Sequence, residues 1–357
     1  MKKDIKLNQK FAEEFINNTK NFYEESFNLI DKKHNTIIKS FYAQINNNKN
    51  YFKENLRNWT MQTDYACPSQ ISALHLKKIG FWKFIKFYLK RKIRSFFDNE
   101  HDRAFFDDIE MLKKNCDINF LRNNPVHLTP GHDNFYVTKE NIITNYRWNR
   151  YLYIGDKIIK NNFLNDNDIW IDIGSFYGGL QSIIKKKNPS INIILVDFKH
   201  QLCRSYIFLK QLFPDSNHIF PDQLNSDFFQ KKLNDSIVYL PVEKYDLLET
   251  LKVKLITNIF SFGEMKEEVF EKYKTSNVYK NADYKYLVNR VVSSPFFEKT
   301  YGDIKTNVLN YINEHDTIEY FDMFPIHHYH VPKRELLGSI KNRPCSSPYI
   351  ELILKKK

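Results

Sequence analysis

The stretch WIDIGSFYGG, residues 170–179, decides the fold of this chain. Its first half is a continuous apolar run of β-forming residues, which is typical of a strand buried on both faces of a parallel sheet. Gly174 and Gly178 then introduce a turn, and the following GLQSIIKKKNP has the pattern of a helix that stops at Asn188 and Pro189. The stretch therefore predicts the strand, turn and helix that begin a βαβ unit.

The same pattern continues towards the C-terminus. INIILVDF predicts a second buried strand, KHQLCRSYIFLKQLFP predicts a second helix with a proline stop, and SIVYLP and KLITNIFSF predict further strands. Strands that alternate with helices indicate an α/β fold with a parallel, Rossmann-like sheet. We place this domain at residues 141–357.

The region before it has a different character. FAEEFINNTKNFYEESFNLI spaces its apolar residues as an amphipathic helix does, and the turn-rich segment 122–137 separates this region from the sheet. We therefore predict a mainly helical N-terminal region over residues 1–140.

Composition limits the class of protein. The chain has 357 residues and a formal net charge of +12, which suggests an anionic partner, although AT-rich codon usage also explains much of the lysine excess. The four cysteines are far apart and form no CxxC pair, so we expect neither a zinc ribbon nor a disulfide framework. No apolar segment resembles a signal peptide or a membrane span. We expect a cytoplasmic protein that is at most peripheral at the inner face of the membrane.

The glycine turn restricts the ligand. A dinucleotide fingerprint needs Gly-x-Gly-x-x-Gly, but Phe176 stands at the middle glycine, and the turn lacks the Lys-Ser/Thr pair of a phosphate-binding loop. Asp197 ends the second strand, where a carboxylate can accept hydrogen bonds from both ribose hydroxyls. S-adenosylmethionine carries ribose without phosphate, and Asp172 would help to hold its ammonium group. Alternatively, Asp197 only caps the helix that follows.

Three blocks of the sequence resemble a known family. WIDIGSFYGGLQSII, NIILVDFKHQLCRSYIFLKQLFP and LITNIFSFGEM are similar to successive segments of the sugar O-methyltransferases, and the resemblance covers residues 146–357. It implies a bacterial enzyme with the class I methyltransferase fold that acts in surface-polysaccharide biosynthesis. It also implies that S-adenosylmethionine is bound by Asp172, Gly174, Gly178 and Asp197. The chain departs from the family at Phe176, where glycine is usual, and at Phe198-Lys199, where Leu-Pro is frequent.

The remaining cofactor positions follow from this placement. Gly174 and Ser175 would supply backbone contacts to the cofactor. We expect the Phe176 ring to pack against the N-terminal helices and so to lock them onto the turn. Alternatively, the ring plugs the pocket for the methionine part of the cofactor. Phe198 would lie beside the adenine, and Asn258 would contact the cofactor or satisfy loop backbone.

Methyl transfer to a hydroxyl needs alignment and a base. Glu264 follows the fourth predicted strand and is our first candidate for the base, with a helix-start carboxylate as the alternative. The Asn/Asp-Pro-Pro-Tyr segment of many N-methyltransferases does not occur there, which disfavours nucleic acid as the substrate. His327 and His328 are further candidates beside His330, because imidazole can take a proton near neutral pH.

Two more features concern the substrate and partners. Asn289 and Arg290 would bind the substrate, because guanidinium recognises phosphate or a sugar acid, or else Arg290 forms a surface salt bridge. We expect no metal. The basic aromatic stretch 74–97 is expected to be partly buried, with contact to an anionic membrane as the second interpretation and nucleic acid as the third.

Together these features predict an S-adenosylmethionine-dependent sugar O-methyltransferase. An RNA methyltransferase and a non-catalytic glycan- or partner-binding module are the alternatives.

Overall fold

The computed structural model describes residues 9–22, 80–82, 84–86, 88–89, 99–127, 135–292, 306–326 and 348–357. Contacts divide these residues into two compact units. We call them the helical unit (80–82, 84–86, 88–89, 99–127, 135–160 and 325–326) and the sheet unit (9–22, 161–292, 306–324 and 348–357). None of the described helices is long and apolar enough to cross a membrane.

The sheet unit is built on one mixed sheet. Its eight strands are β3 Ile169–Ile173, β4 Asn192–Asp197, β5 Asn217–Ile219, β6 Ser236–Pro241, β7 Leu255–Ile259, β8 Tyr284–Arg290, β9 Asp316–Met323 and β10 Tyr349–Lys356. They lie in the order β5-β6-β4-β3-β7-β8-β10-β9. The first six strands in this order, from β5 to β8, run parallel, and β10 is antiparallel to both of its neighbours, β8 and β9. The predicted α/β class with a parallel sheet is confirmed.

The central strands lie in the core because both of their faces are apolar. Every residue of β4 and β6 is buried, as are the last four residues of β3. One face of the sheet contributes the side chains of Ile171, Ile194, Val238, Ile256 and Leu287 to a single hydrophobic cluster. This continuous burial explains why these strands show no polar alternation in the sequence.

The helices of the sheet unit begin and end where the sequence signals predict. Helix α5 (Gly179–Lys187) ends before Asn188, and α6 (Lys199–Leu212) ends before Phe213 and Pro214. Two further helices, α7 (Glu267–Thr275) and α8 (Asn277–Asn281), lie between β7 and β8. Proline after a helix is expected there because it cannot continue the backbone hydrogen bonds.

Helix α1 (Gln9–Asn17) packs on α6. The Phe15 ring is fully buried and lies 5.8 Å from the Tyr206 ring, and the Tyr206 hydroxyl donates to Glu14 Oε2 at 2.7 Å. Beyond the helix, the Asn21 carbonyl accepts a hydrogen bond from Lys199 Nζ at 3.0 Å. The helical periodicity at the N-terminus is therefore confirmed for this segment, and aromatic packing holds it on the sheet unit.

Besides the helical segment within residues 80–89, the described part of the helical unit contains three helices and a short hairpin. Its elements are α2 Asn99–Asn115, α3 Ile118–Asn123, β1 Tyr136–Val137, β2 Ile143–Thr144 and α4 Tyr146–Lys160. Helices α2 and α4 meet through Phe105 and Tyr146, whose ring centroids are 4.9 Å apart. Asp117 caps α3 by accepting a hydrogen bond from the Phe120 amide at 2.8 Å.

The two units differ from the predicted division near residue 140. Helix α4 follows that boundary but belongs to the helical unit, and α1 precedes it but belongs to the sheet unit. Both differences arise because aromatic contacts between distant segments outweigh nearness along the chain. The division into a helical N-terminal region and a separate sheet domain stays a prediction.

Candidate active site

The glycine turn after β3 lies against the loop that follows β7. Gly174 has a φ of +77°, and a Cβ placed there would lie 2.6 Å from both Cβ and Oγ of Ser261. The Gly174 amide also donates to the Val196 carbonyl at 2.8 Å, which ties the turn to β4. The site therefore has room for backbone at this position but not for a side chain.

Asp172 is buried under this turn, and both carboxylate oxygens are hydrogen-bonded. Oδ1 accepts from the Thr257 hydroxyl and Oδ2 from the Gln181 amide. Burial raises the pKa of Asp172 to about 7; these two bonds oppose the shift and the negative charge of Asp197 adds to it. Trp170 Nε1 donates to Thr257 Oγ1 at 2.8 Å, so β3 and β7 share one polar network.

Two polar atoms beside the turn have no hydrogen-bond partner within the described part of the chain. They are Ser175 Oγ and Gln181 Oε1, and the two residues are only 4% and 1% exposed. A buried polar atom without a partner costs free energy, so such atoms are usually paired. A ligand with polar groups that binds at the turn would give these two atoms hydrogen-bond partners.

Asp197 connects the turn to the start of α6. Its Oδ2 accepts from the Phe176 amide and its Oδ1 from the Phe198 amide, both at 2.8 Å. The residue is 8% exposed. Each carboxylate oxygen can accept more than one hydrogen bond.

Phe176 adopts a left-handed conformation with a φ of +55°, which is unusual for a bulky residue. The Ser205 hydroxyl donates to its carbonyl at 2.5 Å, and its ring lies edge-to-face on Tyr177 with centroids 5.3 Å apart. The half-buried ring and the backbone contacts stabilise this conformation. The interpretation of the ring as a lock stays a prediction.

Asn258 joins three segments at the end of β7. Its Nδ2 donates to the Ile173 carbonyl and its Oδ1 accepts from the Phe262 amide, both at 2.8 Å. Asn289 Nδ2 donates to Asn258 Oδ1 at 3.0 Å, and Asn289 Oδ1 accepts from the Gly263 amide at 3.3 Å. The two asparagines therefore determine the path of the loop that carries Glu264.

Glu264 and Arg290 form an ion pair. Arg290 Nη2 lies 3.2 Å from Glu264 Oε1, and Arg290 Nε donates to the Tyr349 hydroxyl at 3.0 Å. The Arg290 side chain is 4% exposed and that of Glu264 is 27% exposed. Arg290 is thus not the surface salt bridge of the alternative interpretation. Its buried guanidinium orients a carboxylate that remains accessible to solvent.

The structure brings most of the predicted residues to one edge of the sheet, where β3, β4, β7 and β8 end. These are Asp172, Gly174, Ser175, Gly178, Asp197, Phe198, Asn258, Glu264, Asn289 and Arg290. His327, His328 and His330 lie outside the described residues. No group of three metal-binding side chains occurs in the described ranges.

A side chain at Gly178 would point towards helix α6 and not into the predicted cofactor cleft. A Cβ there would meet Leu209 of α6 at 2.9 Å. Gly178 is the N-cap residue of α5 with a φ of +93°, so its missing side chain allows α5 to approach α6.

Sequence reasoning missed four residues at this edge, namely Gln181, Thr257, Ser261 and Tyr349. Gln181 had a local signal, because it lies in the first turn of the helix that follows the glycines. The other three reach their partners only through the pairing of distant strands, for example 59 positions apart for Tyr349 and Arg290.

The stretch 74–97 is described in part. Phe81 and Trp82 are 60% and 80% exposed, so the expected burial is wrong for these two side chains. Phe84 is partly buried. The aromatic side chains of this stretch therefore differ in burial: Phe81 and Trp82 face solvent, whereas Phe84 is partly buried.

Comparison with known proteins gives similarity at the level of structure. No protein-family model and no curated protein matches the chain. Similar solved structures include an rRNA methylase from Streptococcus thermophilus (12% identity over 56% of this chain and 94% of that chain, TM-score 0.31). Others are magnesium protoporphyrin IX methyltransferase from Synechocystis (9%, 59% and 80%, 0.35) and an S-adenosylmethionine-dependent methyltransferase from Clostridium acetobutylicum (11%, 59% and 92%, 0.34). With TM-scores below 0.5, these structures decide neither the fold nor the function of this chain.

The sheet itself defines the fold class. Its parallel strands, with the antiparallel β10 inserted between β8 and the edge strand β9, form the Rossmann-like fold of class I methyltransferases. Ligands of such sheets bind at the carboxyl ends of the strands, where the strand order reverses. In this chain the strand order reverses at β3, which has β4 on one side and β7 on the other. The glycine turn directly follows β3.

The raised pKa of Asp172 predicts a pH-dependent stability. The folded state keeps a proton that an unfolded aspartate, with a pKa of 3.8, releases, so the free energy of unfolding should fall as pH rises from about 4 to about 7. Asp172→Asn should remove this contribution. Urea unfolding of both proteins at pH steps across that window measures the difference, and parallel profiles would contradict the assignment. The Asp172→Asn substitution introduces an NH2 group next to Gln181. The Gln181 amide can rotate so that its oxygen accepts a hydrogen bond from this group.

Proposed function

We propose that this protein is an S-adenosylmethionine-dependent methyltransferase that methylates a hydroxyl group of a sugar. The observation that carries the proposal is the group of buried polar side chains beside the glycine turn. There, the acidic groups of Asp172 and Asp197 and two buried, unpartnered polar atoms, Ser175 Oγ and Gln181 Oε1, surround backbone that accepts no side chain at Gly174. The comparisons do not identify the cofactor, so the assignment of the cofactor rests on this donor set.

The residues present fit the cofactor. Asp172 and Gln181 Oε1 offer acceptors for the ammonium of its methionine part, and Ser175 Oγ offers a hydroxyl for the carboxylate. Asp197 would accept hydrogen bonds from the ribose, and Phe198, which stacks on His200 at a centroid distance of 5.9 Å, would lie beside the adenine. When bound, the cofactor supplies a methyl group on a cationic sulfonium.

The chain itself supplies the orientation of the acceptor. Arg290 holds one oxygen of Glu264, and the other oxygen would accept a hydrogen bond from the acceptor hydroxyl and then its proton. Asn258 and Asn289 keep the loop of Glu264 in place through the amides of Phe262 and Gly263. Positioning of this kind contributes most where the methyl donor is already reactive.

The choice of a sugar as the acceptor rests on the three sequence blocks that resemble sugar O-methyltransferases. We infer that the acceptor is a precursor of a bacterial surface polysaccharide, made at the cytoplasmic side. Incubation with methyl-labelled S-adenosylmethionine and a panel of sugar nucleotides, lipid-linked glycans and RNA transcripts tests this. Label in RNA alone would replace the sugar proposal by the RNA alternative.

Titration with S-adenosylhomocysteine by calorimetry tests the cofactor. We expect binding by the wild-type protein, and at least about tenfold weaker binding by Asp197→Ala, because hydrogen bonds from ribose to a charged group are lost. Asp215→Ala, an exposed aspartate between α6 and β5, is the matched control and should bind normally. No heat with the wild-type protein would favour a non-catalytic module. Unchanged affinity in a folded Asp197→Ala would exclude the ribose role.

A further inference from the structure

An exposed apolar face lies on the helical segment that follows Gly80. Residues 81–82, 84–86 and 88–89 are helical, and the Phe84 amide donates to the Gly80 carbonyl at 3.0 Å. The side chains of Phe81, Trp82, Tyr88 and Leu89 are 60%, 80%, 42% and 56% exposed. Four large apolar side chains in nine residues are far more than scattered surface hydrophobics and indicate an interaction surface.

These side chains share one face. At about 100° per residue, positions 81, 82, 85, 88 and 89 fall within an arc of about 120°. The rings of Phe81 and Trp82 contact each other edge-to-face with centroids 5.6 Å apart, so the two largest side chains form one continuous patch. Phe84 lies just outside this arc, where its ring stacks on that of Tyr88 with centroids 6.1 Å apart, and it is partly buried.

The charge of the surrounding sequence favours an anionic partner. The sequence from 74 to 97 contains no aspartate or glutamate, and Lys86 is exposed at the border of the apolar arc. Its basic residues are Lys77, Lys78, Lys83, Lys86, Lys90, Arg91, Lys92 and Arg94. A helix with Trp, Phe and Leu on one side and lysine beside them is suited to the boundary between lipid headgroups and acyl chains.

We propose that the segment around residues 80–89 docks this protein on an anionic lipid bilayer. The aliphatic Leu89 and the partly buried Ile85 add apolar area that gives no platform for base stacking, so lipid is favoured over nucleic acid. A second copy of the chain is disfavoured because it would bring the same basic residues face to face. The proposal does not depend on the methyl-transfer reaction.

Vesicle flotation tests the proposal with the full chain. We expect the wild-type protein to float with vesicles of phosphatidylcholine containing about 30 mol% phosphatidylglycerol, and at least about tenfold less with phosphatidylcholine alone. Raising the salt concentration to about 0.5 M should weaken the binding, because it screens the attraction between lysine and headgroup. No flotation of the folded protein with anionic vesicles overturns the proposal.

A matched pair of triple variants locates the surface. Phe81→Ala/Trp82→Ala/Leu89→Ala should bind anionic vesicles at least about tenfold more weakly than the wild-type protein. Ile318→Ala/Phe321→Ala/Met323→Ala removes comparable exposed apolar residues from β9 and should bind as the wild type does. Circular dichroism confirms that both variants are folded. Equal vesicle binding by the two variants contradicts the assignment of this face to lipid. Binding of single-stranded RNA is measured in parallel. If the Phe81/Trp82/Leu89 variant loses RNA binding but keeps vesicle binding, the assignment is also contradicted.

Discussion

Replacement of Gly174 by alanine is expected to abolish measurable binding of S-adenosylhomocysteine and to lower the free energy of unfolding by about 2–5 kcal/mol. Two costs combine. The backbone has a φ of +77°, which alanine adopts only with strain, and the new Cβ would lie 2.6 Å from the Ser261 side chain. Ser261 cannot yield alone, because the neighbouring Phe262 amide is held by Asn258 at 2.8 Å. The loop that carries Glu264 must therefore shift.

Two further variants separate these costs. Gly80→Ala has a similar φ of +78° and no atom within 4 Å of its new Cβ, so its destabilisation measures the backbone strain alone. Adding Ser261→Gly to Gly174→Ala removes the steric contact and should restore part of the binding. Calorimetric titration and urea unfolding of the four proteins provide the measurements. If Gly174→Ala binds the cofactor normally, the turn is not the cofactor site.

Replacement of Gly178 by valine is expected to cost more stability, about 3–6 kcal/mol, and so to leave little folded protein. The φ of +93° is unfavourable for a β-branched residue, and the new Cβ would lie 2.9–3.2 Å from three carbons of Leu209. Leu209 is fully buried in α6, so it has no free space into which to move. Helix α5 would have to separate from α6, and the core between them would open.

A double-mutant cycle distinguishes this steric cause from loss of the cofactor site. Gly178→Ala should be partly rescued by Leu209→Ala, with a favourable coupling of about 1 kcal/mol, because the shortened side chain leaves room for the new methyl group. Urea unfolding without any ligand gives all four stabilities. Additive effects would mean that the glycine is required for a different reason. Because ligand-free protein is measured, the outcome is independent of the proposed reaction.

The sequence by itself determined the local units of the sheet. Strands β3, β4, β6 and β7 and helices α5 and α6 lie where the apolar runs, glycines and prolines place them, because such signals act between residues close in the chain. The same alternation of strands and helices predicts the carboxyl edge as the site, since ligands bind such sheets there. Asp172, Gly174 and Asp197 were predicted as cofactor positions at that edge.

Only the tertiary structure decided what these residues contact. Thr257 reaches Asp172 across 85 positions, and Tyr349 reaches Arg290 across 59. The insertion of β10 between β8 and β9, and the packing of α1 on α6, likewise join distant segments. Local propensity carries no information on such contacts, because they form only when strand pairing and aromatic burial outweigh the entropy of closing long loops.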